Sequence, residues 1–119
     1  MGVVAVAVTD LMLESRIAGA ARRCGLEPRA VSPHGALPEA LEGADVVVVD
    51  LQAQGLDPMA TVRAAVASGA RVIAFGQHTK ADALREARDA GAEALPRSAF
   101  FERLPALLTQ AAEPRATAR

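Results

Sequence analysis

The chain has one cysteine and one lysine among its 119 residues, which limits both the disulfides and the ammonium chemistry that it could use. The solitary Cys24 cannot form an internal disulfide and is typical of a reducing compartment, so we expect a cytoplasmic protein. Lys80 is the sole candidate for chemistry that needs an ammonium group. The net charge of -1 does not provide the basic face that nucleic acid requires, and we expect no nucleic-acid partner.

Long hydrophobic runs, internal repeats, linkers and low-complexity stretches are also missing. The apolar start, residues 2–8, carries no basic leader and reaches Thr9 and Asp10 too early for a signal peptide or a membrane span. Hydrophobic residues make up 51% of the chain and charged residues 23%, which is typical of a soluble globular domain. We expect one domain over residues 1–112, a polar tail over residues 113–119 and no membrane partner.

The most informative stretch is the run of four valines that ends on Asp50. An apolar run without polar alternation predicts a strand that is covered on both faces, as at the centre of a parallel sheet. Asp50 would then lie at the carboxyl end of a central strand, where open α/β sheets place their ligands and their chemistry.

Predicted strands and helices alternate along the whole chain. The strands are expected near residues 3–8, 28–31, 46–50, 71–75 and 93–95, and the helices near residues 11–24, 38–42, 58–68, 80–90 and 98–108. The predicted helix caps are Thr9 or Asp10, Asp57, Thr79 and Ser98. Pro105 is expected either to kink the last helix or to separate it from a short turn at residues 99–103.

Short connections and right-handed crossovers place such helices on both faces of a parallel sheet. The first and third strands are the most apolar and therefore central, whereas the second and fifth are short and mixed and therefore edges. The most economical arrangement is a flavodoxin-like α/β fold, a three-layer α/β/α sandwich with a five-stranded parallel sheet in the order 2-1-3-4-5. A dinucleotide-binding sheet is less favoured, because no Gly-x-Gly-x-x-Gly is present.

Four short stretches carry a resemblance that covers nearly the whole chain. They are Val-Ala-Val-Thr-Asp at the end of the first strand, Val-Val-Val-Val-Asp-Leu at the third, Val-Ile-Ala-Phe-Gly at the fourth and Ala-Gly-Ala-Glu before the fifth. In this succession the chain resembles the receiver domain (CheY-like) of a two-component response regulator.

The resemblance implies roles for particular positions. In receiver domains, a pair of acids after the first strand and an aspartate that ends the third strand hold a magnesium ion, and that aspartate accepts a phosphoryl group from a histidine kinase. Asp50 matches the phosphoacceptor, Asp10 matches one acid of the pair, and Thr9 occupies the position of the other. Asp10 and Asp50 could therefore hold a weak magnesium ion. The alternatives are that Asp10 only caps a helix and Asp50 only caps a loop.

Several positions depart from the pattern of the family. Receiver domains have a Ser or Thr where Gly76 stands, and a Lys followed by Pro where Ser98 and Ala99 stand. Arg97 lies one residue before the lysine position, and on a strand such a shift would turn its side chain to the opposite face. These departures favour a degenerate receiver, or pseudo-receiver, which is a non-enzymatic signalling module that acts through protein contacts.

Further polar residues are expected at the same edge of the sheet. Gln77 and His78 follow the fourth strand, and His78 could hydrogen-bond Asp50 or remain a loop histidine that faces solvent. Two alternative functions stay open: a phosphorylatable single-domain response regulator in a phosphorelay, and a small flavodoxin-like domain that binds an anionic ligand. The residues expected around that ligand are Asp10, Asp50, Gln77, His78 and Arg97.

Phe100 and Phe101 form the only aromatic cluster in the sequence. We expect one ring in the core and the other on a partner surface built from the fourth helix, the fifth strand and the last helix. That face commonly carries dimerisation and output in receiver domains, so the expected partner is another signalling protein or a second copy of the chain. The alanine-rich fourth helix is expected to be the most mobile.

Overall fold

The structure of the protein, a computed structural model, describes residues 2–33 and 35–112, and the predicted tail, residues 113–119, lies outside them. The strands are β1 (Gly2–Ala7), β2 (Leu26–Ala30), β3 (Val46–Asp50), β4 (Arg71–Gly76) and β5 (Glu93–Pro96). The helices are α1 (Leu11–Arg23), α2 (Leu37–Leu41), α3 (Pro58–Ala67), α4 (Ala81–Asp89) and α5 (Arg97–Ala112). No helix among the described residues is long and apolar enough to cross a membrane.

The five strands form one parallel sheet in the order β2-β1-β3-β4-β5, which confirms the predicted flavodoxin-like arrangement. β3 is the middle strand, and every one of its residues is buried. Its valines favour this position because β-branched side chains pack well on a pleated surface that is covered on both sides. At the carboxyl end of the strand, Asp50 lies opposite Phe75 of β4.

Successive side chains of β3 point to opposite faces of the sheet. Val46 and Val48 share a hydrophobic core with α1 and α5, and we refer to this side as the α1–α5 face. Val47 and Val49 share a second core with α2, α3 and α4, on the α2–α4 face. Because Asp50 continues the row of Val46 and Val48, it lies at the end of the α1–α5 face.

The helix starts agree with the predicted caps at α1 and α3 but not at α4. Asp10 caps α1, and the Asp57 side chain accepts a hydrogen bond from the backbone N–H of Ala60 at 3.1 Å at the start of α3. Lys80 precedes α4 without a side-chain capping hydrogen bond, so the predicted cap, Thr79, is wrong. β2 also begins earlier than predicted, at Leu26, because its backbone pairs with β1 along the whole edge of the sheet.

Helix α5 continues through Pro105. The predicted separation of the helix at this proline is wrong, and so is Ser98 as its cap, because Ser98 lies inside the first turn. Phe100 and Leu104 before the proline and Leu108 after it are all buried on the α1–α5 face. Their packing compensates for the backbone hydrogen bond that a proline removes.

The aromatic cluster also belongs to the α1–α5 face. Phe100 is fully buried and stacks on Phe75 with 4.5 Å between ring centroids, which confirms that one ring enters the core. Phe101 is half-buried, and the Arg16 guanidinium of α1 lies 4.1 Å from its ring centroid. Phe101 is therefore turned towards α1, and the partner surface of α4, β5 and α5 stays a prediction.

Candidate functional site

The carboxyl ends of β1 and β3 border a cavity of about 390 Å³, which we refer to as the acid cavity. Its walls are Thr9, Asp10, Leu13, Asp50, Gln52, Gln54 and Arg97. The structure thus brings together the predicted residues Thr9, Asp10, Asp50 and Arg97. Sequence reasoning missed the two glutamines and the leucine, which reach the cavity from the loop after β3 and from the first turn of α1.

Asp50 is buried, with 4% of its surface exposed. Its Oδ1 accepts a hydrogen bond from the backbone N–H of Gln52 at 2.9 Å, whereas Oδ2 accepts none from the described part of the chain. Burial raises the pKa of the Asp50 carboxyl above its usual range. The Asp10 charge adds to this rise, and the Gln52 hydrogen bond and the Arg97 charge oppose it. Burial of the Asp50 carboxylate therefore costs free energy, and a single hydrogen bond from the described residues offsets that cost.

Asp10 and Thr9 both hold backbone groups. Asp10 Oδ1 accepts hydrogen bonds from the N–H groups of Met12 and Leu13 at 2.9 and 3.1 Å, as the capping alternative predicts. Thr9 Oγ1 accepts a hydrogen bond from the N–H of Gln54 at 3.1 Å. Asp10 thus fixes the start of α1, and Thr9 ties the loop after β1 to the loop after β3.

The Gln52 side chain connects the loop after β3 with the end of β4. Its Oε1 accepts a hydrogen bond from the backbone N–H of Gln77 at 2.9 Å. A Cβ at Gly76 would lie 3.0 Å from this oxygen and 3.2 Å from Nε2, so the carboxamide fills the space of a side chain at position 76. The one signal in the sequence that could have indicated this contact is Gln52 itself, a long amide side chain in the loop after Asp50.

Arg97 lines the acid cavity because it begins α5 instead of extending β5. The expectation that it points to the opposite face is wrong, since strand alternation ends at Pro96. Its charge opposes the effect of burial on the pKa of Asp50, although no ion pair or hydrogen bond joins the two described side chains. The Nε–H of Arg97 is buried and has no acceptor in the described part of the chain.

A second cavity of about 350 Å³ contains the other predicted edge residues. Its walls are Gln77, His78, Thr79, Pro96, Arg97 and Ser98. His78 is exposed there and, within residues 35–112, makes no hydrogen bond to Asp50, so the hypothesis of that hydrogen bond is wrong. The residues predicted to surround one anionic ligand are thus divided between two cavities, with Arg97 in both.

The donor set at the acid cavity does not fit a resident magnesium ion. Asp10 already uses one oxygen for two backbone N–H groups, Thr9 stands where a second acid would, and Arg97 adds a positive charge to the same walls. Among the described residues, no cluster of three or more His, Cys, Asp or Glu side chains could hold a metal ion. No chemical step at Asp50 is therefore assigned to a bound cation.

Comparison with known proteins gives structural neighbours but no sequence relatives. No protein-family model and no curated protein matches the chain. The receiver domain of the Francisella response regulator 1452 superposes with a TM-score of 0.72 at 18% identity, over 93% of this chain and 96% of that one. The BeF3-activated receiver domain of DrrB gives a TM-score of 0.78 at 18% identity, over 96% of this chain and 99% of that one.

A longer protein is also similar. NtrX from Brucella abortus, in complex with ADP, gives a TM-score of 0.77 at 20% identity over 93% of this chain. The chain spans 27% of the length of that NtrX structure. At identities this low the likeness concerns the fold, so the protein has the fold of response-regulator receiver domains.

Proposed function

We propose that this chain, which has the fold of receiver domains, is a degenerate signalling module of two-component type that acts through contact with another protein. It would carry no catalysis of its own and would not use Asp50 for phosphotransfer. The lone Cys24 favours a reducing cytoplasm as its setting. The observation that carries most of this proposal is the contact between Gln52 and the end of β4.

The Gln52 carboxamide takes the place of the hydroxyl group that the receiver family uses at position 76. Its hydrogen bond to Gln77 holds the loops after β3 and β4 together without any group bound to Asp50. In a receiver domain the hydroxyl follows the phosphoryl oxygens, and this movement carries the signal. Here the connection is already made by the Gln52 amide from the loop after β3, so a phosphoryl group has no free side chain at Gly76 to recruit.

The charges at Asp50 also oppose phosphorylation. A phosphoryl group adds about -1.5 to -2 charge at neutral pH. The acid cavity already holds Asp10 and Asp50, with Arg97 as its single cationic side chain. Without a fitting divalent cation, this added charge would be poorly neutralised.

The start of α1 is the surface that best supports a protein contact. Leu11 and Met12 are the large hydrophobic side chains most exposed among the described residues, at 80% and 79%. They lie in the first turn of α1, between Asp10 and Leu13, which both line the acid cavity. Exposed apolar side chains that adjoin a polar site are typical of interaction surfaces. We therefore place the partner contact there instead of on the α4, β5 and α5 surface.

A two-dimensional amide NMR titration tests the loss of phosphotransfer. The protein and its Asp50→Asn variant are titrated with magnesium and then with magnesium plus beryllofluoride, which mimics a phosphoryl group. We expect no saturable shifts at Asp10, Asp50 and Gly76 that depend on the Asp50 carboxylate. Saturable shifts that disappear in Asp50→Asn would contradict the proposal and support the phosphorylatable alternative.

Hydrogen exchange tests the Gln52 contact directly. In Gln52→Ala, we expect the Gln77 amide to exchange about fivefold faster, because a hydrogen bond of this kind is worth about 1 kcal/mol. Gln54→Ala is the matched control, because the Gln54 side chain is exposed in the same loop. Equal exchange of Gln77 in both variants would remove the main support for a pre-connected site.

A further inference from the structure

Two opposite charges line the acid cavity without meeting each other. We infer that this cavity binds a small zwitterion with one ammonium and one carboxylate group, the class to which free α-amino acids belong. The inference rests on the proposed function, because a phosphoryl group on Asp50 would occupy the space that the ligand needs in the acid cavity. The bound zwitterion would be the signal that the module passes on to its protein partner.

The ammonium site is Asp50, with Asp10 beside it. Asp50 is 4% exposed, and its Oδ2 accepts no hydrogen bond from the described residues. Asp10 has the same pattern, since both of its hydrogen bonds go to Oδ1. A buried carboxylate with a free oxygen is costly unless it meets a donor. An ammonium group has three donors and a positive charge, so it fits between these two side chains.

The carboxylate site is Arg97. Arg97 lines the acid cavity, and no ion pair joins its guanidinium to a carboxylate of the described residues. Arginine donors match a carboxylate in a planar, two-point geometry. A carboxylate in the cavity would therefore supply the acceptor that no described side chain gives the Arg97 guanidinium.

Neither charge alone explains the cavity. A simple cation would neutralise Asp10 and Asp50 but would be repelled by Arg97. A simple anion would pair with Arg97 but would be repelled by the two carboxylates. A zwitterion satisfies both ends at once, because its two charges are separated by a short distance and its net charge is zero.

The size and the remaining walls agree with a small polar molecule. The volume of about 390 Å³ lies near the lower end of the roughly 300–1,000 Å³ that is usual for small-molecule sites. Leu13 provides a half-buried apolar surface for a side chain of the ligand. The Thr9 hydroxyl accepts a hydrogen bond from Gln54 and keeps its own proton available for donation to the ligand.

Amide NMR titrations with L-alanine, L-serine and L-glutamine test the inference. With at least one of these, we expect saturable shifts in the millimolar range at Thr9, Asp10, Gln52 and Arg97. N-acetyl-L-alanine, which has no ammonium, and L-alaninamide, which has no carboxylate, should bind about tenfold more weakly or not at all. The absence of saturable shifts with all three amino acids, or equal binding of either analogue, would overturn the inference.

Two variants assign the ends of the ligand. Arg97→Gln should weaken binding of the responding amino acid by about tenfold, whereas Arg103→Gln, an exposed arginine on the same helix, should leave it unchanged. Asp50→Asn should weaken it similarly, with the exposed Asp89→Asn as its control. Binding that survives Arg97→Gln at full strength overturns the inference even if Asp50→Asn fails to fold. The beryllofluoride titration is a separate readout, so failure of the proposed function and failure of this inference can be distinguished.

Discussion

The two faces of the sheet are built from side chains of different size. On the α1–α5 face, Phe75 of β4 stacks on Phe100 of α5, and both rings share a core with leucines of α5. On the α2–α4 face, alanine is the commonest buried residue among those the structure describes, and α4 contributes only Leu84 and Ala87 to the core. Since burial stabilises in proportion to apolar area, α1 and α5 are held more strongly than α4.

The candidate site lies at the end of the α1–α5 face, which buries the larger side chains. Asp50 ends the row of Val46 and Val48, and Arg97 begins α5, so both charges are carried by the face with the larger side chains. A costly buried carboxylate is tolerated where the surrounding packing is strongest. The α2–α4 face, with its smaller side chains, is the one we expect to adjust when a partner or a ligand binds.

The largest effect is expected from Phe100→Ala. Removing a fully buried ring that stacks on Phe75 should lower the free energy of unfolding by about 3–5 kcal/mol. Urea unfolding followed by circular dichroism measures this loss. A loss below that of a leucine truncation on the other face would contradict the stated difference between the faces.

Leu84→Ala makes the corresponding change on the α2–α4 face. Leu84 is buried, and its truncation should cost about 2–3 kcal/mol, because the surrounding small residues allow the helix to move closer. Hydrogen exchange should show faster exchange in α4 and nearly unchanged exchange in α1. If α1 and α4 respond equally, the two faces unfold as one unit and the comparison fails.

Asp50→Asn sharpens the comparison at the end of the α1–α5 face. Burial raises the pKa of Asp50 in the folded protein, so the folded state favours the protonated form. The stability associated with this group is present below the unfolded pKa of 3.8 and is lost as the pH rises through the folded pKa. At neutral pH, Asn should therefore stabilise the protein by about 1 kcal/mol, the usual size of a single stabilising substitution.

Thermal unfolding of both proteins across the pH range measures this effect. The difference in Tm between Asp50→Asn and the parent should be largest near neutral pH and should vanish below pH 3.8. Asp89→Asn, at an exposed position, controls for the general loss of a negative charge. A difference in Tm that stays constant with pH would show that the Asp50 charge is not the cause.

The smallest effect is expected from Arg16→Ala. Its guanidinium lies over the Phe101 ring, and an exposed contact of this type is worth about 0.5–1 kcal/mol. Arg22→Ala, also exposed on α1, is the control and should be neutral. Equal effects of the two substitutions would show that Phe101 is held by its neighbouring rings alone.

The parts of the fold that depend on local sequence could be predicted. The valine run gave β3 its central place, and Asp10 and Asp57 cap the helices for which they were proposed. The predictions that failed depended on competition between distant parts. Thr79 and Ser98 have the chemistry of caps, but the packing of α4 and α5 against the sheet decided where those helices begin.

The sequence by itself determined the order of strands and helices, the parallel sheet and the position of Asp50 at its carboxyl edge, because periodicity and strand-end residues act over short stretches of chain. Only the tertiary structure decided what surrounds Asp50. Gln52 reaches the space above Gly76, and Arg97 enters the acid cavity from the first turn of α5. Both contacts join loops that are far apart in the sequence, and their geometry is set by how the strands align in the sheet, which no local pattern encodes.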